Sequence, residues 1–133
     1  MNNFREMALN EEQEVNYLTH TLYIVAQMQI YHWVTNNSND HDATFDYYKE
    51  LQDKIDVFAE TLITKYEIEY SIESFELVFD LDKNELLEII EEYDELTNDV
   101  ISEFTDGEDS SLINTLEDIK LLNDQLRFKL SLK

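Results

Sequence analysis

Residues 30–45, IYHWVTNNSNDHDATF, separate two stretches in which apolar residues recur at helical spacing. The run TNNSND at 35–40 favours a loop, so we predict a helical hairpin with helices over 11–34 and 41–66. Asn10, three residues before Gln13, predicts a capping box at the start of the first helix. The inward positions predicted for the two helices are Val15, Leu18, Leu22, Val25, His32, Phe45, Tyr48, Leu51, Ile55, Phe58 and Leu62.

A second helical hairpin is predicted in the second half of the chain. The sequence DKNE places Asp82 as a cap with Glu85 as its return partner, which starts a helix over 82–105. Gly107 is the predicted stop, and a last helix covers 110–130. The connection 67–81 is either a short helix or an extended crossing. The inward positions predicted here are Leu86, Ile89, Tyr93, Leu96, Val100, Phe104, Leu112, Leu116, Ile119, Leu122, Leu126 and Leu130.

Composition supports an all-α fold. The chain contains no proline, a single glycine and no cysteine, which disfavours turn-rich β architectures and removes disulfides and thiolate metal sites. We therefore predict one domain over 1–133, a four-helix bundle with a crossover between two antiparallel hairpins. The absence of a signal-peptide pattern and of a long apolar run predicts a cytoplasmic protein without a membrane span.

The net charge limits the partners. Nine basic residues against 31 acidic ones give −22, and Lys83 is the only basic residue between Tyr66 and Asp118. Such a surface repels phosphates, so we expect no direct binding to nucleic acid. Cations and basic protein surfaces are the partners that it would attract, although a solubilising coat is an equally good reason for the charge.

Two histidines and two carboxylates form a candidate metal-ligand set. His32 ends the first helix and His41 begins the second, while Asp56 and Glu60 lie four apart on one face of the second helix. Imidazoles with carboxylates suit Fe(II), Zn²⁺ or Mn²⁺. Taken singly, each histidine also has a structural reading, His32 as a buried, hydrogen-bonded side chain and His41 as a surface residue.

The order His32-Trp33, His41, then Asp56 and Glu60 within DKIDVFAE (53–60) resembles the ferroxidase motif of Dps proteins, the miniature ferritins. The stretch around YHW and the second histidine is also similar to small ferritin-like proteins of bacteriophages. The resemblance covers about residues 15–66. It implies a ferritin-like fold and a protein that binds and oxidises iron, with His32, His41, Asp56 and Glu60 as ligands and subunits that assemble into a shell.

Some features depart from that family. Its DNA-binding members use basic tails, whereas MNNFREMALN at 1–10 holds one arginine and the last residues are weakly basic, so any DNA protection would be indirect. Two other functions stay open. A compact chain at −22 would also serve as a nucleic-acid mimic that occupies the basic groove of a host protein, or as a scaffold with neither property.

Helix geometry adds a constraint that is independent of the family. Asp56 and Glu60 lie fifteen and nineteen residues beyond His41, which corresponds to about 22–28 Å along a helix. Metal–ligand bonds are only about 2.0–2.2 Å long, so one chain cannot join these four residues in one centre. We therefore predict at least a homodimer, in which the histidines of one chain face the carboxylates of its partner.

Overall fold

A computed structural model of the chain describes residues 11–69 and 74–132. It contains four helices, which are α1 (Glu11–Val34), α2 (Ser38–Tyr66), α3 (Lys83–Ile101) and α4 (Ser110–Ser131). There is no strand in the described ranges. Helix α1 packs against α2 and α3, and α4 packs against the same two helices. The predicted all-α four-helix bundle is confirmed.

Ion pairs at the two ends of the bundle define its topology. At one end Lys83 Nζ lies 3.1 Å from Asp40 Oδ1 and donates to the carbonyl of Leu130 at 2.9 Å. This places the starts of α2 and α3 beside the end of α4. At the other end Lys65 Nζ contacts Asp109 Oδ1 at 2.6 Å, which joins the end of α2 to the start of α4. Each hairpin is therefore antiparallel, and the α2–α3 connection runs the length of the bundle, as in ferritin-like folds.

The crossover is an extended segment over its described parts. Residues 67–69 and 74–82 contain no helix. Gln27 of α1 holds the segment through both groups of its side-chain amide, since Nε2 donates to the carbonyl of Val78 at 2.6 Å and Oε1 accepts from its amide at 3.0 Å. Of the two alternatives for this connection, a short helix is absent from residues 67–69 and 74–81, and residues 70–73 lie outside the described part of the chain.

Capping explains where the helices begin and end. Asp82 and Glu85 form the predicted capping box. The predicted start of α2 at 41 was wrong by three residues, because the Asn37 side chain accepts from the amide of Asp40 at 3.0 Å and starts the helix at Ser38. The predicted end of α3 at 105 was also wrong, since the helix ends at Ile101 and Gly107 takes a φ of 86° in the turn that follows. The cap predicted at Asn10 lies outside the described residues.

The core contains most of the predicted inward positions, including all six of α4. The predicted inward positions of Leu22 and Phe45 were wrong, because both side chains are more than a third exposed. On α3 the predicted positions Leu86, Tyr93 and Val100 are fully buried. The predictions for Ile89 and Leu96 were wrong, because both are half-buried and the neighbouring Ile90 and Thr97 are fully buried instead. The side chain of Val15 lies outside the described residues.

Hydroxyl groups are paired within this core. Tyr17 and Tyr93 stack with ring centroids 5.4 Å apart, and their hydroxyls bond to each other at 3.0 Å. Thr97 bonds to Tyr17 at 3.1 Å, and Thr21 bonds to Tyr93 at 2.8 Å. Burial raises the pKa of Tyr17 to about 12, so the ring stays neutral.

No helix of the described chain has both the length and the apolar composition that a bilayer crossing requires.

Candidate functional site

His32 and His41 face each other across the α1–α2 loop. Their rings stack with centroids 3.7 Å apart and planes 23° from parallel. His32 Nδ1 lies 2.7 Å from the carbonyl oxygen of His41, and His41 Nδ1 lies 2.8 Å from the carbonyl oxygen of His32. A carbonyl oxygen only accepts, so both Nδ1 atoms carry a proton. In the neutral rings Nε2 therefore keeps its lone pair, and a second-shell bond from Nδ1 to a carbonyl is typical of metal-ligating histidines.

The surroundings of the pair orient the rings. Phe45 and Tyr48 of α2 lie against His32, with ring centroids 5.3 Å and 5.7 Å away. His32 is half-buried and hydrogen-bonded, which partly agrees with the interpretation of this residue as a buried structural side chain. His41 is exposed, which agrees with its interpretation as a surface residue. The reciprocal hydrogen bonds also tie the end of α1 to the start of α2. The pair therefore closes the hairpin whether or not it binds a ligand.

The stacking of the two rings determines whether His32 and His41 can bind the same metal ion. The lone pair of an imidazole Nε2 lies in the plane of its ring. Two rings stacked face to face at 3.7 Å hold their lone pairs in separate, nearly parallel planes, so the two Nε2 atoms cannot meet at one ion. In this arrangement each histidine would bind a separate ion.

Asp56 and Glu60 lie on exposed positions of α2, one turn apart. Because α2 is continuous from Ser38 to Tyr66, they are about 22 Å and 28 Å from His41 along the helix. Within the described residues, no group of three or more histidine, aspartate or glutamate side chains is close enough to hold a metal ion. The structure thus brings the two histidines together and leaves the two carboxylates apart from them in the same chain.

The outer face of α1 carries a signal that the sequence reasoning missed. No Asp, Glu, Lys or Arg occurs between Glu14 and Asp40, in a chain of which 30% is charged. One outward stripe of α1 has spacings of four, three and four residues, with Leu22 and Trp33 exposed and Ala26 and Gln29 half-buried. Trp33 is 61% exposed. An outward surface without charge is typical of an interface core rather than of a solvated helix.

The candidate ligands border this uncharged surface. On α2, helical spacing places Phe45, Gln52, Asp56 and Glu60 beyond His41 in one exposed stripe, and the ring of Phe45 lies against His32 of α1. Lys49, on the same stripe, has its Nζ 5.0 Å from the ring centroid of Phe45. We call the combined surface the hairpin face, defined by Leu22, Ala26, Gln29 and Trp33 of α1 and by His41, Phe45, Lys49, Gln52, Asp56 and Glu60 of α2.

Comparison with known proteins assigns the family. Residues 32–130 match DUF5856, a family of unknown function, and the chain belongs to it. The match begins at His32, and all four candidate ligands lie inside it. Neither curated proteins nor solved structures give a match to the chain.

Proposed function

We propose that this DUF5856 protein is a Dps-like iron-binding ferroxidase whose metal centre forms between two chains. His32 and His41 of one copy face Asp56 and Glu60 of the other. The observation that carries the proposal is the reciprocal bonding of the two histidines, which leaves both Nε2 atoms free beside an uncharged surface. Zn²⁺ and Mn²⁺ fit the same donor set and are the competing ions.

A twofold axis across the hairpin face would bring the histidines of one chain close to Asp56 and Glu60 of the other. The midpoint between His41 and Asp56 on α2 falls near residue 49, so an antiparallel partner brings each histidine end to a carboxylate end. Leu22 and Ala26 then lie close to the axis on α1. Two chains that each carry −22 repel one another over most of their surface, and the uncharged helix permits close approach. An isologous contact of this kind produces two equivalent centres per dimer.

The donor set is suited to oxidation of Fe(II), which is the substrate in this proposal. Each imidazole provides a nitrogen to one ion, and the carboxylates of the partner provide oxygen ligands that can be shared between neighbouring ions. A set of so few protein ligands leaves coordination positions open to an electron acceptor such as oxygen or peroxide. The surrounding acidic surface raises the local concentration of the cation.

Mixing two inactive variants tests the inter-chain centre. The first is His32→Ala/His41→Ala and the second is Asp56→Ala/Glu60→Ala. A mixed dimer joins the unmutated histidines of one chain to the unmutated carboxylates of the other at one of its two centres. Anaerobic Fe(II) titration should show no tight binding to either variant alone and should recover up to half of the wild-type sites per mixed dimer.

Control variants separate this result from general charge effects. Asp53→Ala/Glu50→Ala removes two exposed acids from the same helix outside the four-residue set and should leave Fe(II) binding intact. Because the rings cannot share an ion, saturation should require about two ions per centre in the wild type. A strictly monomeric wild-type protein, or mixed variants that remain inactive after exchange of subunits, would refute the proposal.

A second candidate function is mimicry of nucleic-acid charge. Glu88, Glu91 and Glu95 form an exposed stripe on α3, and none of them takes part in an ion pair found in the described ranges. These carboxylates would therefore be available to pair with lysine and arginine side chains in the groove of a basic protein. The test is release of DNA from a basic DNA-binding protein by the wild-type chain. Glu88→Gln/Glu91→Gln/Glu95→Gln should weaken the release if α3 carries the function, while the histidine variant should not.

A further inference from the structure

An open cavity lies between the first half of α1 and the crossover segment, and none of its described lining residues belongs to the hairpin face. Its volume is about 580 Å³, within the range of small-molecule sites. Asn16, Thr19, His20 and Tyr23 of α1 form one side of the cavity, and the other side is formed by Ser74, Phe75 and Glu76. The metal proposal uses none of these residues.

Three rings line the cavity in nearly perpendicular orientations. Tyr23 lies 5.6 Å from His20 and 5.9 Å from Phe75 between ring centroids, with an interplanar angle of 71° in both pairs. His20 also stacks on Tyr93 of the core at 5.8 Å, which fixes the plane of its ring. Rings set at steep angles to one another enclose a corner in which a compact ligand contacts more than one aromatic surface.

The electrostatics of the cavity favour positive charge. Glu76 is the charged residue among its described lining residues, which include neither lysine nor arginine. Burial raises the pKa of Tyr23, and the nearby charge of Glu92 raises it further. Burial lowers the pKa of His20 against the opposing effect of Glu92, so His20 adds no positive charge at neutral pH.

His20 is a costly residue at this position. Its Nε2 atom is buried and has no hydrogen-bond partner among the described residues. An unpaired buried polar atom costs about 1–3 kcal/mol relative to a paired one. A phenylalanine would fill the same space between Tyr23 and Tyr93 without that cost, so packing alone does not account for the histidine.

We propose that this cavity binds a small organic cation of the quaternary or methylated ammonium class. Such a cation has a diffuse charge that aromatic faces attract, and a nearby carboxylate adds to the attraction. A bare divalent metal ion would need several oxygen ligands, and the cavity lining offers one carboxylate. The aromatic walls and the negative potential therefore select for an organic cation.

The test compares choline with its uncharged isostere 3,3-dimethylbutan-1-ol, using the full chain and NMR titration at constant ionic strength. The two probes have nearly the same shape, so a difference in affinity reports the charge. Choline should bind and shift the signals of Tyr23 and Phe75. The uncharged isostere should bind at least about threefold more weakly. Equal affinities, or no choline binding at millimolar concentrations, would overturn the proposal.

Two exposed positions supply variants that leave the core intact. Phe75→Ala and Glu76→Gln should each weaken choline binding by about two- to fivefold. Phe79→Ala and Glu88→Gln are the matched controls, because they remove an exposed ring of the same segment and an exposed acid of α3 outside the cavity. Equal weakening by the controls would show that choline follows the general charge of the surface, which also overturns the proposal.

Discussion

At the scale of single residues, Asp109 holds the loop before α4 to the end of α2. It is 2% exposed, contacts Lys65 Nζ, accepts a hydrogen bond from the hydroxyl of Tyr66 and accepts the amide of Thr105 at 2.9 Å. Burial by itself raises the pKa of Asp109, but the hydrogen bonds from Lys65, Tyr66 and Thr105 outweigh it and lower the pKa below its usual value. The ionised form is therefore the one that stabilises the fold.

We expect Asp109→Asn to lower the free energy of unfolding by about 1–3 kcal/mol at neutral pH, because it removes the charge from a buried set of donors. The contribution of a carboxyl with a lowered pKa is complete above the unfolded value of 3.8 and disappears as pH falls through the folded value. Urea unfolding should therefore show a difference between variant and wild type at about pH 7 that shrinks near pH 2.

Asp118→Asn is the matched control for this prediction. Asp118 pairs with Lys54 at 3.3 Å, but both side chains are exposed. We expect a change within about 0.5 kcal/mol, since solvent screens such pairs. A pH-independent difference at Asp109 would show that the variant acts through packing and not through the charge.

At the scale of elements, α1 and α4 differ in how well their sequences define an inward face. On α4 the predicted inward positions are all buried, because polar or charged residues occupy most of its outer side and mark the inward face clearly. Helix α1 has apolar or neutral residues on every side from Val15 to Val34. Its periodicity therefore cannot separate core positions from exposed ones, which is why Leu22 was assigned to the core. The exposure of Leu22 and Trp33 places them on the surface that we propose for the dimer contact.

A charge introduced on α1 should prevent the proposed association. We expect Ala26→Glu to weaken dimerisation by at least about tenfold, because it would bury a carboxylate of each chain against the uncharged surface of α1 next to the twofold axis. Sedimentation analysis measures the change, and circular dichroism checks that the helices remain.

Asn114→Glu adds the same charge at an exposed position of α4 and should leave the association constant nearly unchanged. If Ala26→Glu stays as dimeric as the wild type, the contact does not use the hairpin face. In that case the inter-chain metal centre loses its structural basis.

At the scale of the whole molecule, the few basic residues join different helices. Lys83 pairs with Asp40, Lys65 with Asp109, Lys54 with Asp118 and Arg127 with Asp94. Each pair connects two different helices, if Asp109 is counted with α4, which it directly precedes. The 31 acidic residues far outnumber these partners, so most acids repel one another across the folded surface. Compact folding brings those charges closer than they are in the unfolded chain.

Salt should therefore stabilise this fold. We expect the free energy of unfolding in urea to rise with NaCl concentration, since added ions screen repulsion between exposed carboxylates. The variant Glu88→Lys/Glu95→Lys, with a net charge of −18, should be more stable than wild type at low salt and should respond less to NaCl. Stability that falls with added salt would mean that the four ion pairs outweigh the repulsion.

Sequence alone was sufficient for the helices and their order. The apolar repeats of α4, the Asp82–Glu85 capping box and the polar run at 35–40 are local features, and they were enough to predict the number and order of the helices. They did not fix every boundary, since the start of α2 and the end of α3 differ from the predicted ones. Helix rise alone also predicted that His41 cannot meet Asp56 within one chain, because distance along a helix follows from residue count.

Only the tertiary structure showed how the two histidines meet and where the cavity lies. The stacking of His32 on His41 depends on the angle at which α1 enters the loop, which no residue spacing specifies. The cavity joins His20 and Tyr23 to Phe75, more than fifty residues away, through the path that the crossover takes along α1. Such contacts depend on the packing of distant segments, whereas sequence periodicity reports only which side of one helix is apolar.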